Sequence, residues 1–327
     1  MPKNAIIIRQ HDPDPIENVH PSQSTQENST IDPSLYTVSE EEKYYFDLRG
    51  YLIVEGAISE TEVKECNDAI DHYADEIETR ENGQLAHGSS ALEGTEGRRE
   101  LHGMLGWPEP YRETFRKLLV HPTVVSHLNE FSGKGFRLDH GPQFIGGVKG
   151  TSGQAMHGSG DPHKPWVAYH HQDGEMYCGG VTVSWMLSDI PENMGGFACV
   201  LGSHKSSFPT PTGVTTCDDP MGTVIQPGLK AGDVVLFMDG AQAHGTFPWQ
   251  NDHERRSILF KYAGRTSARS GPASELAPPE TYWDNATIDG MTEEQKAVMW
   301  GPYSNHRDEL PLLDIDKEGT VRVEQQE

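Results

Sequence analysis

Cysteine is scarce in this sequence, and its spacing excludes two common uses of the residue. The four cysteines stand singly, without a C-x-x-C pair, at Cys66, Cys178, Cys199 and Cys217. This pattern fits neither a disulfide framework nor a cysteine zinc site, and it is typical of reduced thiols. We therefore expect four buried, unreactive thiols and a cytoplasmic protein.

Long apolar runs are also missing. No segment approaches the roughly 20 apolar residues that cross a bilayer. The N-terminus "MPKNAIIIRQHDPDPIENV" has one short apolar patch and no small-residue cleavage site, so we expect no signal peptide.

Positive charge is the third shortage. The chain has 26 Lys and Arg against 50 Asp and Glu, which gives a net charge of −24. Such a body repels phosphate, and we therefore expect no nucleic acid or membrane partner. The 327 residues, 35% of them hydrophobic, are enough for a real core. We expect a monomer or homodimer that acts on a small molecule.

The first part of the chain predicts a tail followed by helices. Residues 1–35 are rich in Pro, Asn, Gln, Ser and acids and lack periodic apolar positions, so they predict a flexible tail. Residues 36–327 then predict a single domain. Two S-x-x-E capping boxes, at residues 39–42 and 59–62, predict the starts of two helices on either side of the strand "YLIVEG".

From Phe136 onward the chain predicts β structure. Short β-rich runs such as "GGVTVSWML", "GFACVL", "DVVLFM" and "RSILFKYAG" are separated by Gly, Pro, Asn and Asp. This spacing favours an antiparallel double sheet over βαβ units. Residues 265–327 predict an irregular extension with one helix at "TEEQKAVMW".

Two neighbouring histidines precede an aspartate in "YHHQDGEMY". On a strand, residues two apart face the same way, so His171 and Asp173 project together and His170 projects to the other side. A His-x-Asp pair with one remote histidine is the pattern of the 2-His-1-carboxylate Fe(II) site. The segment "LKAGDVVLFMDGAQAHGT" predicts a buried strand and then a loop that presents His244 as that remote histidine.

The pair alone is a weak signal, because a second one occurs at His306 and Asp308. No histidine follows that second pair, and it lies outside the β region, so we do not expect it to bind metal.

An arginine completes the pattern. Arg255 stands eleven residues after His244 and opens the strand "RRSILFKYAG". Arginine suits a bidentate grip on a carboxylate better than lysine does. Arg256 is the local competitor, because the alternation of a strand lets only one of the two face inward.

Together these blocks resemble the phytanoyl-CoA dioxygenase family of Fe(II)/2-oxoglutarate oxygenases. The similar blocks are "VSEEEKYYFDLRGYLIVEGAISETEV", "HQD", "SWMLSDIPENMGGFACVLGSHK", "LKAGDVVLFMDGAQAHGT" and "RRSILFKY", in this order, from about residue 37 to 264. The resemblance implies a mainly β protein with flanking helices around a double-stranded β-helix (jelly-roll, cupin-like) core. It also implies Fe(II), 2-oxoglutarate and O2 as cofactor and cosubstrates.

The resemblance further implies the roles of seven residues. The implied iron ligands are His171, Asp173 and His244, and the implied cosubstrate residues are Arg255 for the distal carboxylate, Thr246 through its hydroxyl, Trp185 and Gln143. Two alternatives stay open, with Trp185 as ordinary core and Gln143 on an exposed strand face. His170 is either a substrate-channel residue or a solvated one.

The implied activity is hydroxylation of an unactivated C–H bond in a small organic substrate, with release of succinate and CO2. An acyl-CoA suits a chain of net charge −24 poorly unless Lys149, His163 and Lys164 offset the charge locally.

Two segments are candidates for covering the site. The glycine-rich stretch before the iron motif predicts a lid, in which His157, His163 and Trp166 either contact substrate or are solvated. The extension either covers the pocket mouth or makes a subunit contact, through aromatic residues at positions 282, 283, 300 and 303.

Two other classes of function remain as alternatives. One is a non-catalytic, cupin-like metal- or ligand-binding protein, and the other is a zinc-dependent hydrolase or isomerase that uses the same ligands. Arg255 and Thr246 argue against the first alternative, because a simple metal site needs no carboxylate clamp.

Overall fold

The computed structural model describes residues 36–158, 167–264, 267, 278–301 and 310–324. The predicted tail lies outside the described residues. So do His163, Lys164, Trp166 and the second His-x-Asp pair.

Helices begin where the capping boxes predict. Ser39 and Ser59 cap the first two helices, each with the reciprocal contact from the glutamate three residues later. The longer helices are α1 (Glu40–Arg49), α2 (Glu60–His72), α3 (Tyr111–Leu119) and α4 (Pro122–Phe131). The short helices are α5 (Thr212–Thr215), α6 (Pro279–Tyr282), α7 (Asn285–Ile288) and α8 (Glu293–Ala297), of which α8 is the helix predicted at "TEEQKAVMW".

The larger layer of the fold is a seven-stranded antiparallel sheet. Its strands, in spatial order, are β1 (Tyr51–Val54), β11 (Val234–Met238), β8 (Gly180–Met186), β13 (Arg255–Ala263), β4 (Arg137–Gly147), β3 (Arg99–Leu101) and β2 (Glu78–Thr79). From β1 to β4 in this order, neighbouring strands are not consecutive in the chain, as expected where successive strands alternate between two sheets. The strands β4, β3 and β2 at the other edge are consecutive.

A four-stranded antiparallel sheet forms the second layer. Its strands, in spatial order, are β10 (Val224–Ile225), β9 (Gly196–Val200), β12 (His244–Phe247) and β5 (Gln154–His157). Two hairpins stand apart, β6 (Tyr169–Gln172) with β7 (Glu175–Cys178) and β14 (Leu312–Ile315) with β15 (Val321–Glu324). The predicted double-sheet, jelly-roll core with flanking helices is confirmed.

The main core lies between the helices and the outer face of the seven-stranded sheet. Alternate side chains of β13, namely Ile258, Phe260 and Tyr262, are fully buried there. They join apolar side chains of α1 to α4 in one cluster. The other face of β13 is therefore free to build a site.

The cysteines behave as predicted. All four are free and buried. Burial raises the pKa of Cys66 to about 12 and that of Cys217 to about 11. Separately, none of the helices in the described ranges has the length and apolar character that crossing a membrane requires.

Phe46 packs helix α1 against helix α4. Its ring is fully buried and stacks on Phe131 of α4, with centroids 3.8 Å apart and planes 7° apart. We expect Phe46→Ala to lower the free energy of unfolding by about 3–5 kcal/mol, through lost burial and a cavity. Tyr44→Ala, at a position 62% exposed on the same helix, should change it by less than about 0.5 kcal/mol. Urea unfolding measures both, and equal losses would contradict this packing.

Candidate active site

A cavity of about 120 Å³ lies between the two sheets. This is close to the volume of about 150 Å³ of an engineered cavity that binds benzene, so the space suits a small organic molecule. One wall comes from β4, β8, β11 and β13, and the other comes from β5, β9 and β12. The cavity therefore occupies the interior of the double sheet.

Arg255 reaches the cavity because it begins the inward face of β13. Arg255, Ser257, Leu259 and Lys261 line the cavity in strict alternation, as the period of two requires. Arg256 points the other way, where it pairs with Asp71 and Glu254. The structure thus places the first arginine inside and the second outside.

Within the described ranges, the buried guanidinium of Arg255 has no acid beside it. Only 5% of the residue is exposed, and its Nε has no hydrogen-bond partner in the described part of the chain. Burial, with a smaller contribution from the charge of Arg98, lowers the pKa of Arg255 to about 10, so it stays charged at neutral pH. A buried charge is costly unless it is paired, and the cavity therefore favours an anion.

A second arginine lines the same cavity but has its own counter-ion. Arg98 donates to Glu100 through Nε and Nη2, at 2.8 and 2.6 Å, and to Oε1 of Gln154 through Nη1, at 2.7 Å. Arg80 holds Glu100 from the other side. Burial alone would raise the pKa of Glu100, but the hydrogen bonds and charges of the two arginines outweigh it and lower that pKa to about 2.

His244 lies at the start of β12 and lines the cavity. Its Nδ1 contacts the Gln242 carbonyl at 2.9 Å, and its ring lies 4.7 Å from the ring of Phe237. Burial, followed by the charge of His157, lowers the pKa of His244 to about 3. The imidazole is therefore neutral at neutral pH, which is the form that binds a metal.

Two further predicted cosubstrate residues line the cavity. Thr246 lies two residues after His244 on β12, and Gln143 lies opposite Leu259 on β4. Gly245 between the two β12 residues permits a close approach of β5, because a Cβ there would come within 2.4 Å of the Gln154 carbonyl oxygen. The burial of Thr246 and Gln143 does not by itself indicate a cosubstrate role, because both residues are only half-buried.

Trp185 lies on the other side of the sheet. Its neighbours Ser184 and Met186 line the cavity. Alternation therefore turns Trp185 into the helix-side core, where it is fully buried 5.1 Å from the ring of His121. Of the two interpretations of this tryptophan, the structure places it in ordinary core.

In the described part of the chain, His171 and Asp173 are not among the residues that line the cavity with His244. The strand ends at Gln172, and Asp173 and Gly174, with φ of 55° and 87°, form the two-residue turn of the β6–β7 hairpin. Asp-Gly is the strongest sequence signal for such a turn, and it outweighs the strand pattern that puts His171 and Asp173 on one face. His170, His171 and Asp173 are all exposed.

In the described ranges, no three His, Cys, Asp or Glu side chains are already placed to hold a metal ion. Two histidines, His157 and His244, line the cavity. His157, which the sequence placed in a lid, lies opposite His244 on β5, with the ring centroids 4.2 Å apart. Oδ1 of Asp239 is 3.6 Å from Nε2 of His244.

A second cavity, of about 330 Å³, adjoins the first. The two share Gln143, Leu259 and Lys261. The second cavity is also lined by Met104, Leu105, His102, His140 and, from the C-terminal extension, Trp283, Asp284 and Thr287. The extension therefore contributes three residues to this second cavity.

Lys149 does not offer a free positive charge. Its Nζ lies 2.7 Å from Oδ1 of the exposed Asp252. In the described part of the chain, the positive charge of Lys149 is thus paired with Asp252 and does not favour binding of a CoA ester.

A family model of phytanoyl-CoA dioxygenases matches residues 46–257. HygX from Streptomyces hygroscopicus, solved with nickel, 2-oxoglutarate and hygromycin B bound, is 21% identical with a TM-score of 0.56, over 72% of this chain and 92% of its own. The α-ketoglutarate-dependent epimerase SnoN from nogalamycin biosynthesis is 19% identical with a TM-score of 0.51, over 74% and 89%. AviO1 from Streptomyces viridochromogenes is 18% identical with a TM-score of 0.51, over 72% and 99%. None of the curated proteins matches the chain.

A substitution at Glu100 tests the charge network that Arg80, Arg98 and Glu100 form at the cavity. We expect Glu100→Gln to destabilise the protein by about 2 kcal/mol at neutral pH, because two arginines lose a charged acceptor. The folded-state pKa of about 2 lies below the ordinary value of 4.5, so the stabilisation exists above pH 4.5 and is lost as the pH falls towards 2. Urea unfolding at several pH values should therefore show the gap between wild type and variant closing over that range. Glu55→Gln, at an exposed position, serves as the control, and a gap that widens on acidification would contradict the network.

Proposed function

The chain belongs to the phytanoyl-CoA dioxygenase family, and we propose that within this family it hydroxylates an unactivated C–H bond of a small organic molecule. The family match covers residues 46–257. The protein is thus a 2-oxoglutarate-dependent oxygenase, and its cofactors are Fe(II) and 2-oxoglutarate.

The buried guanidinium of Arg255 carries the proposal. It lies in a cavity between the sheets, has no acid partner in the described part of the chain and stands on the wall opposite His244. A dicarboxylate such as 2-oxoglutarate would supply the missing anion through a bidentate contact. The donor set therefore fits this cosubstrate.

Each cavity residue has a role in this proposal. Arg255 binds the distal carboxylate, Thr246 donates its hydroxyl to the same group, and Gln143 borders the cosubstrate where the two cavities meet. The apolar side chains of Met186, Ile190 and Phe237 exclude water around the bound acid, which strengthens the charge pair. When bound, iron and 2-oxoglutarate activate dioxygen, with 2-oxoglutarate converted to succinate and CO2.

The second cavity is the proposed substrate site. It adjoins the first cavity and mixes apolar side chains, Met104 and Leu105, with polar ones, including Asp284 and His140. This lining suits a small molecule with both apolar and polar groups. A CoA ester fits less well, because the chain carries a net charge of −24 and Lys149 is already paired with an acid.

For the metal, His244 is the ligand that both the sequence and the cavity support. His171 and Asp173 stay a prediction from the sequence, and that prediction requires an arrangement different from the β6–β7 hairpin described above.

A matched pair of arginine variants tests cosubstrate binding. We expect Arg255→Ala to weaken 2-oxoglutarate binding about 100-fold, because truncating one partner of a buried charge pair costs about 2–5 kcal/mol. Arg256→Ala should bind as the wild type does, since Arg256 faces Asp71 on the other side of the sheet. The measurement is an anaerobic titration of Fe(II)-loaded protein with 2-oxoglutarate, followed by the visible charge-transfer band of the chelate.

Two outcomes of this titration would remove the proposal. Equal weakening in the two variants would mean that Arg255 does not clamp the cosubstrate. If the wild type gave no band, and the zinc-loaded protein hydrolysed substrates without 2-oxoglutarate, the zinc-dependent hydrolase would take its place.

Isotope labelling tests the outcome of the oxidation. Small organic molecules are screened by succinate release, and each active one is then turned over under ¹⁸O₂. We expect one atom of ¹⁸O in the product, read by mass spectrometry, because hydroxylation transfers oxygen from dioxygen. Since SnoN is an epimerase, the same fold supports another outcome. A product of unchanged mass, formed with stoichiometric succinate, would therefore contradict hydroxylation.

A further inference from the structure

The C-terminal extension lines part of the second cavity, although it lies beyond the family match. The match ends at residue 257. The cavity residues from the extension are Trp283, Asp284 and Thr287. Met104 and Leu105 line the same cavity from a segment much earlier in the chain. Two segments that are distant in the sequence therefore meet at the proposed substrate site.

Arg116 of α3 connects these two segments. The residue is fully buried, and its guanidinium donates three hydrogen bonds to main-chain carbonyls. Nε donates to Leu105 at 3.0 Å, Nη1 to Asp289 at 2.9 Å and Nη2 to Thr287 at 3.0 Å. Two of these acceptors, Leu105 and Thr287, belong to residues that line the second cavity. Because the donors of a guanidinium form a rigid fork, Arg116 fixes the two segments relative to each other.

The shape of the arginine side chain matters for this connection. A lysine carries its charge on one atom, so it cannot reach carbonyls on both segments with the same geometry. In the described ranges, Oε1 of Glu113 lies 4.0 Å from Nη1, too far for a hydrogen bond. A second helix of the extension also attaches here, because Nε2 of Gln295 in α8 donates to the carbonyl of Arg116 at 3.1 Å.

Trp283 is the largest side chain that the extension presents to the second cavity. Its Nε1 donates to the Met299 carbonyl at 2.7 Å, which fixes the orientation of the indole. The other two side chains bind each other, since Asp284 accepts from the main-chain N–H and from the hydroxyl of Thr287, both at 2.9 Å. The indole therefore limits how far a bound molecule can reach towards the extension.

We propose that the C-terminal extension sets the size of the accepted substrate, with Trp283 as the specificity-determining side chain and Arg116 as the residue that positions it. The inference rests on the proposed function for the second cavity being the substrate site. Arg116 is not among the residues that line this cavity in the described ranges, so it acts through the segments that it binds.

Thiol labelling tests the positioning role without any substrate. The four native thiols are buried and therefore react slowly, so Thr287→Cys introduces a reactive thiol on the cavity wall. N-ethylmaleimide is small, whereas fluorescein-5-maleimide carries the same reactive group on a bulky dye. We expect the dye to label Thr287→Cys more slowly than N-ethylmaleimide does. Ala286→Cys, at an exposed position one residue earlier, should react with both reagents alike.

Loosening the wall should remove this size selection. In the Thr287→Cys protein, adding Arg116→Lys should speed labelling by the dye at least about 10-fold, since a hydrogen bond to a charged group contributes about that factor. Adding Arg112→Lys, on the same helix but paired with Glu109 and Glu113, should leave the rate unchanged. A dye rate that Arg116→Lys does not raise would overturn the positioning role.

A matched pair of aromatic variants tests the specificity role and does not depend on the stability of Arg116→Lys. Succinate release is measured with alcohols and amines of increasing chain length. We expect Trp283→Ala to shift the ratio of kcat/KM values towards longer molecules by at least about 10-fold, because one methylene in a pocket is worth about 10- to 200-fold. The KM for 2-oxoglutarate should not change. Tyr282→Ala, whose ring packs beside Trp283, should keep the wild-type preference, and the same preference in Trp283→Ala would overturn the inference.

The inference and the proposed function fail separately. Size-selective labelling that depends on Arg116, with no 2-oxoglutarate-dependent turnover of any molecule, would keep the wall and remove the oxygenase. Turnover with a size preference that Trp283→Ala leaves unchanged would keep the oxygenase and remove the inference.

Discussion

The period of two along β13 is the constraint on which both the core and the site depend. One face of this central strand gives Ile258, Phe260 and Tyr262 to the core under the helices. The other face gives Arg255 and Lys261 to the cavity. A shift of one residue in register would bury Arg256 and turn apolar side chains into the cavity. Packing of the core therefore determines which arginine can bind a carboxylate. The same strand, β13, contributes to the stability of the protein and to its site.

The interior of the double sheet is positive in a chain whose net charge is −24. Arg98 and Arg255 both line the cavity, and of the two only Arg98 has a carboxylate partner among the described residues, Glu100. Desolvating a lone guanidinium costs free energy, so Arg255 is tolerated because the rest of the fold is stable enough to hold it. Binding of an anionic acid offsets this cost.

Local patterns predicted much of this fold. The capping boxes gave the helix starts, and the turn-bounded apolar runs gave the strands, because both depend on residues within a few positions of one another. Alternation predicted that only one of Arg255 and Arg256 faces inward, and the family resemblance implied that it is Arg255. The sequence left the place of Trp185 open, although alternation puts it on the same face of β8 as Val181 and Val183, which lie in the main core. The pairing of His157 with His244 was not predictable, because it depends on β5 meeting β12 across 87 residues of sequence.

The prediction of His171 and Asp173 as iron ligands depends on where strand β6 ends. Placing His171 and Asp173 on one face assumes that the strand continues through Asp173. The following glycine makes Asp173-Gly174 a hairpin turn, with both residues at positive φ, and the alternation ends there. His171 and Asp173 as iron ligands therefore stay a prediction from the sequence.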